Sequence, residues 1–162
     1  MPISIMNNLS NKEVAYLLLP HQDDEFGVFS VIDRHLRKFE RVIAIYLTSG
    51  TLDGKVSHKR NEESLNVLTH FGIPKEDCLF IGGNISIADG QLHLNLEKAF
   101  RALISIIDEI GDGLRFYCPA WEGGHQDHDA AHLLTVALCQ KYQCIQSSFQ
   151  FPLYNAFKTY RP

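Results

Sequence analysis

Several features are missing from this 162-residue chain, and each absence narrows the reading. No run approaches the roughly 20 consecutive apolar residues of a membrane helix, so no membrane span is expected. Basic residues number 15 against 19 acidic ones and never gather into a run or stripe, which argues against nucleic acid as a partner. The start, Met1 to Lys12, is polar and rich in asparagine. It lacks the basic opening, apolar stretch and small-residue cleavage site of a secretory signal, so a cytoplasmic protein is expected. The cysteines Cys78, Cys118, Cys139 and Cys144 show no Cys-x-x-Cys spacing and read as reduced core thiols rather than a disulfide scaffold. Repeats, low-complexity tracts and interdomain linkers are also lacking, so residues 1–162 read as one domain.

What is present is a balanced globular composition, 45% hydrophobic and 21% charged, enough for a sizeable core. Val14 to Pro20 is a short, nearly continuous apolar run of the kind a parallel strand covered on both faces shows. From Glu25 to Phe39, residues Phe26, Phe29, Ile32 and Leu36 recur at helical spacing. The pattern then repeats: strand Arg41–Thr48, helix Ser57–Phe71, short strand Cys78–Ile81, helix Leu96–Ile110 ending at Gly111, strand Leu114–Pro119, helix Asp127–Tyr142. A last strand is placed at Ser148–Pro152, and Gly82–Leu94 reads as an irregular loop with a turn at Ala88-Asp89-Gly90. Such alternation predicts an α/β, three-layer, Rossmann-like fold with a mostly parallel sheet.

The two most polar, histidine-bearing segments follow strands one and four. They are Pro20-His21-Gln22-Asp23-Asp24-Glu25 and Glu122-Gly123-Gly124-His125-Gln126-Asp127-His128. In the doubly wound order 3-2-1-4 these strands are neighbours, and the crevice at their carboxyl ends is where such folds bind ligands. Zinc accepts imidazole nitrogen and carboxylate oxygen, and a catalytic zinc needs three protein ligands with one position left open. His21 with Asp24, and His125 with His128, supply four candidates, and residue chemistry alone does not choose the three. Asp23 beside them is placed to act as a general base. His125, if it is not a ligand, is suited to stabilise an oxyanion or protonate a leaving amine, with Asp127 orienting it.

These two segments resemble the motifs of the LmbE-like, PIG-L-type de-N-acetylases. The family's Ala-His-Pro-Asp-Asp-Glu is similar to Pro20–Glu25, and its His-Pro-Asp-His to His125–His128. The resemblance covers nearly the whole chain and implies removal of acetyl groups from N-acetylglucosamine-type substrates. It implies one Zn2+, or another divalent metal such as Fe2+, held by His21, Asp24 and His128, with Asp23 as base and His125 as transition-state stabiliser or acid. Arg60 of an Arg-x-x-Glu pattern and Asp89 of the Asp89-Gly90 turn are similar to family residues that face the sugar. Trp121, beside the second motif, is a further candidate for stacking on the sugar or for packing the pocket wall. Gln22 and Gln126 stand where proline is commoner, and Pro20 where a small residue is usual. The family's chains also usually continue past a point like Tyr160-Arg161-Pro162, which leaves open a chain lacking a C-terminal segment or a short variant with a more open site.

The plainer reading of both loops is a pair of polar turns whose acids cap helices, but capping does not call for histidines beside the acids. Glu25 in particular reads as a first-turn residue favouring the helix dipole. His35, His58, His70, His93 and His132 repeat no ligand spacing and are expected to serve structure or face solvent. A metal-dependent phosphoesterase and a non-catalytic sugar- or metal-binding relative remain the alternative functions. The expected partner is a small acetylated amino sugar, and a homo-oligomer is compatible with the sequence.

Overall fold

A computed structural model describes residues 13–38, 40–110 and 113–154. The expectations for Met1–Lys12, Phe39, Gly111 and Tyr160–Pro162 lie outside them.

The five strands β1 (Val14–Leu19), β2 (Arg41–Tyr46), β3 (Cys78–Phe80), β4 (Leu114–Pro119) and β5 (Ser148–Phe151) form one sheet in the order β3-β2-β1-β4-β5. Every pairing is parallel. β1 lies at the centre with both faces covered, and all six of its residues are buried. Because side chains alternate along a strand, Val14, Tyr16 and Leu18 enter one apolar layer and Ala15, Leu17 and Leu19 the other. The first layer is closed by α4 (Leu96–Ile110) and α5 (Gln126–Lys141), through Leu103, Ile107, Leu134 and Leu138. The second is closed by α1 (Phe29–Arg37) and α2 (His58–Phe71), through Ile32 and Leu68. This is the three-layer α/β arrangement that the alternating pattern predicts. Of the apolar positions read on α5, Leu133 and Val136 instead face outward.

Strand order reverses between β1 and β4, so the segments leaving their carboxyl ends diverge to opposite faces and open a crevice. The first of these segments departs from the expected single helix at Glu25–Phe39. Asp24–Val28 is a 3-10 turn and the α-helix starts only at Phe29. Gly27 lets this turn pack against β5: a Cβ there would lie 2.7 Å from the Phe151 ring. Phe26, read as part of the helix's apolar face, is 60% exposed at the crevice mouth.

The segment after β3 is also more ordered than expected. Ile81–Asn84 forms a one-turn helix, α3. Ile87 N–H donates to the Gly82 carbonyl at 2.9 Å and Ser49 N–H to the Ile87 carbonyl at 2.7 Å, while Asp89 N–H donates to the Thr51 carbonyl at 3.0 Å. These bonds pin Asp89 beside the end of β2. The close approach depends on Gly82, where a Cβ would come within 2.1 Å of the Thr48 backbone. Gly82→Ala is therefore expected to lower unfolding free energy by at least about 2 kcal/mol, measured by denaturant titration; a wild-type midpoint would refute the role given to this contact.

Candidate metal centre and active site

His21, Asp24 and His128 converge at the crevice floor, with 4–6% of each residue exposed. His21 Nδ1 lies 3.3 Å from His128 Nε2, and the Asp24 carboxylate spans the pair, with Oδ2 3.4 Å from His21 Nδ1 and Oδ1 3.2 Å from His128 Nε2. Ligands about 2.0–2.1 Å from a tetrahedral zinc stand about 3.3 Å apart. The donor set and its spacing therefore fit a divalent metal with one face left open toward the cavity.

Each donor is aimed by its surroundings. The 3-10 turn folds Asp24 back so that His21 N–H donates to its Oδ2 at 2.8 Å. On the far side of the His21 ring, Nε2 faces the Asp127 carboxylate at 3.1 Å. Asp127 is fully buried, and its oxygens also accept Gly90 N–H at 2.6 Å and Leu92 N–H at 2.9 Å. A carboxylate engaged in this way holds the proton on Nε2 and leaves the Nδ1 lone pair for a metal. The sequence reading paired Asp127 with His125; here its carboxylate orients His21, and only its backbone N–H meets His125 Nδ1, at 3.2 Å. A second acid–imidazole group, His21 with Asp89 and Asp127, shares this same Nε2 edge. Since Asp127 is already occupied by two backbone N–H groups, that group is better understood as the brace behind His21.

His125 also lies within reach of His21 and His128. Its Nδ1 is taken by the Asp127 N–H, which puts the remaining proton on Nε2 and points a donor at the cavity, 4.0 Å from Asp89 Oδ1. Burial and the neighbouring His21 charge hold its pKa below the usual imidazole range, which favours this neutral form.

Asp23 occupies a backbone conformation that L-residues avoid, φ 116°. It starts the 3-10 turn without using its side chain as a cap, so its carboxylate stays exposed in the cavity. Glu25, read as a dipole-stabilising residue, is buried and accepts Asp23 N–H at 2.9 Å, bracing the strained residue. Arg60 donates to the Gln22 and Gly50 carbonyls and lies 3.4 Å from Asp23 Oδ2. The two unusual glutamines tie neighbouring segments together: Gln22 Nε2 donates to Asn61 Oδ1 at 2.6 Å, and Gln126 Nε2 to the Gly90 carbonyl at 2.9 Å.

The cavity, 280 Å³, is lined by His21, Asp23, Asp24, Phe26, Arg60, Asp89, His125, His128, Leu153 and Tyr154. Trp121 is not among its lining residues; it is 55% exposed and packs edge-on against His132. In its place Tyr154 stacks on His128, with ring centroids 5.2 Å apart. No motif marks Tyr154 or Leu153 in the sequence; only their position just after β5 brings them here. Of the other histidines, His35 is buried and bonded to Glu40 and to the Tyr117 hydroxyl. A larger hollow, 380 Å³, between α4 and α5 is almost wholly apolar and gathers no reactive groups.

Residues 16–139, which contain both histidine segments, match the PIG-L family, described as GlcNAc-PI de-N-acetylase. The chain belongs to this family. Among solved structures, this PIG-L family chain is similar to a deacetylase of the teicoplanin biosynthesis pathway, with TM-score 0.64, 14% identity and 88% of this chain covered. It is also similar to a conserved protein from Thermus thermophilus (0.57, 21%, 88%) and to the N,N'-diacetylchitobiose deacetylase from Pyrococcus horikoshii (0.59, 18%, 85%). At these identities the likeness is one of fold. The PIG-L chain spans 68%, 67% and 53% of the lengths of those three proteins, in that order. No curated protein matches it.

The electrostatics set how a metal enters. Burial would lower the His21 pKa, but the carboxylates of Asp127, Asp24 and Asp89 outweigh it and raise the metal-free ring to about 10. At neutral pH the ring is therefore protonated, and a metal must displace that proton. Divalent metal binding is expected to release protons and to tighten as pH rises toward about 10, read by calorimetry in buffers of different ionisation enthalpy. Asp127→Ala should weaken metal affinity about 10–100-fold and reduce the proton release. Unchanged affinity would contradict the bracing role.

Proposed function

We propose that this chain is a zinc-dependent hydrolase that removes the acetyl group from an N-acetylglucosamine-type amino sugar or its conjugate. The observation that carries this reading is the convergence, in one cavity, of His21, Asp24 and His128 with an exposed carboxylate at Asp23 and an Nε2–H donor at His125. Family membership supports it. Zinc, when bound, supplies a Lewis acid that acidifies water and polarises a carbonyl.

The protein's own groups divide the remaining work. Asp23 accepts a proton from the attacking water. Although its side chain is solvent-accessible, partial desolvation by the surrounding cavity and the nearby Asp24 charge raise its pKa above the usual carboxylate value, making it a better base. His125 Nε2–H, fixed by the bond at its other nitrogen, donates to the oxygen that gains charge as the amide is attacked. Asp89 and Arg60, 3.8 Å apart at the cavity's polar side, are placed to take sugar hydroxyls. A two-metal phosphoesterase is less well served, because among the described residues the second acidic group shares His21 with the first.

The test is a screen of N-acetylglucosamine derivatives for free-amine release by metal-stripped and zinc-restored protein. Turnover should depend on zinc, with one ion per chain; stoichiometric zinc without turnover on any acetylated amino sugar would favour a non-catalytic binding protein. Asp23→Asn is expected to keep zinc bound and to slow hydrolysis about 10²–10⁴-fold. Full activity in that variant would remove Asp23 from the base role.

A further inference from the structure

The cavity has two unlike walls. Arg60, Asp89 and His125 make the polar one, and Phe26, Leu153 and Tyr154 the apolar one. The apolar wall comes from two places in the chain, and a single side chain fastens the second of them, Leu153–Tyr154, to the segment before the second histidine motif. Glu122 Oε2, in the segment leading to the second histidine motif, accepts Leu153 N–H at 2.9 Å and Tyr154 N–H at 3.0 Å. Two glycines clear the space for this seating. A Cβ at Gly124 would lie 2.9 Å from Tyr154 Cδ2, and one at Gly27 2.9 Å from Leu153 Cδ2. Tyr154 then lies across His128 and Leu153 beside Phe26, so the wall rises directly from the proposed metal ligands.

We propose that Glu122 is a positioning residue and that the Leu153–Tyr154 wall it holds determines specificity, limiting the acyl group to a short one. The proposal rests on the deacetylase reading above. A sugar that turns its hydroxyls to Arg60 and Asp89 presents its least polar part, the acyl methyl, to the opposite wall. Extra methylenes there meet the partly buried Leu153, whose backbone Glu122 holds in place.

The test compares N-acetyl-, N-propionyl- and N-butyrylglucosamine. Wild type should lose kcat/KM with each added methylene. Leu153→Ala should raise the butyryl-to-acetyl ratio about tenfold or more. Glu122→Ala should move the ratio in the same direction, and Glu122→Gln, which keeps an acceptor oxygen, should restore it. In the metal-free protein the Leu153 and Tyr154 amides should be protected from exchange, and Glu122→Ala should remove that protection. An active wild type whose ratio is unmoved by Leu153→Ala and Glu122→Ala overturns the proposal. If zinc-loaded wild type releases amine from none of the three substrates, the deacetylase reading is what fails. The wall is then judged by calorimetric binding of acetate and butyrate: preference for acetate, relaxed by Leu153→Ala, supports it, and equal binding in both proteins overturns it.

Discussion

The Asp127 carboxylate is the contact on which the site's geometry turns. It is fully buried and accepts hydrogen bonds from the backbone at Gly90 and Leu92 and from the ring of His21. Three chain segments that are distant in sequence thereby share one charge. An ionised group removed from water is tolerable only with such compensation, so the carboxylate fixes the 88–92 loop, the rotation of His21 and the start of α5 together. The direction of His21 Nδ1 toward Asp24 and His128 is a consequence of this arrangement, as is the placing of Asp89.

Strain at Asp23 belongs to the same construction. Its left-handed backbone turns the chain sharply enough for His21 N–H to reach Asp24, while Glu25, bound to Asp23 N–H, and Arg60, bound to the Gln22 carbonyl, hold the turn from either side. The residue left with an exposed carboxylate is thus the one whose backbone is most tightly constrained. Such strained backbone is held only when its surroundings over-determine it, and here the surrounding bonds are buried or partly buried.

The architecture was legible because β1, β2 and β4 are apolar on both faces, a signature that few alternatives share, and because glycine or proline closes most elements. The meeting of the two histidine segments followed from strand order, whereas the choice of His128 over His125 came from the family resemblance. The direction of the Asp127 carboxylate did not, since a residue two places after His125 and one before His128 can face either way until the 88–92 loop offers it two N–H groups. Trp121 stayed open between two roles for a related reason: adjacency to a motif says nothing about which side of the strand end a side chain leaves. Tyr154 and Leu153 carry no local signal at all. Their role depends on β5 lying beside β4 and on the clearance at Gly27 and Gly124, both of which are tertiary facts.

The charge pattern adds a last constraint. Asp24 and Asp127 both keep pKa values below the ordinary range despite burial, because His21 and His128 hydrogen-bond to the first, and His21 and two backbone N–H groups to the second. His21 is the shared partner, and its raised pKa is the same interaction seen from the other side. In the metal-free protein, the one positive charge that a proton gives the His21 ring is therefore shared by carboxylates on both of its edges. A divalent ion at the Nδ1 edge would replace that proton with a larger charge nearer Asp24, while Asp127 kept its hold on Nε2. The Asp127 brace and the candidate donor set thus use opposite nitrogens of one ring.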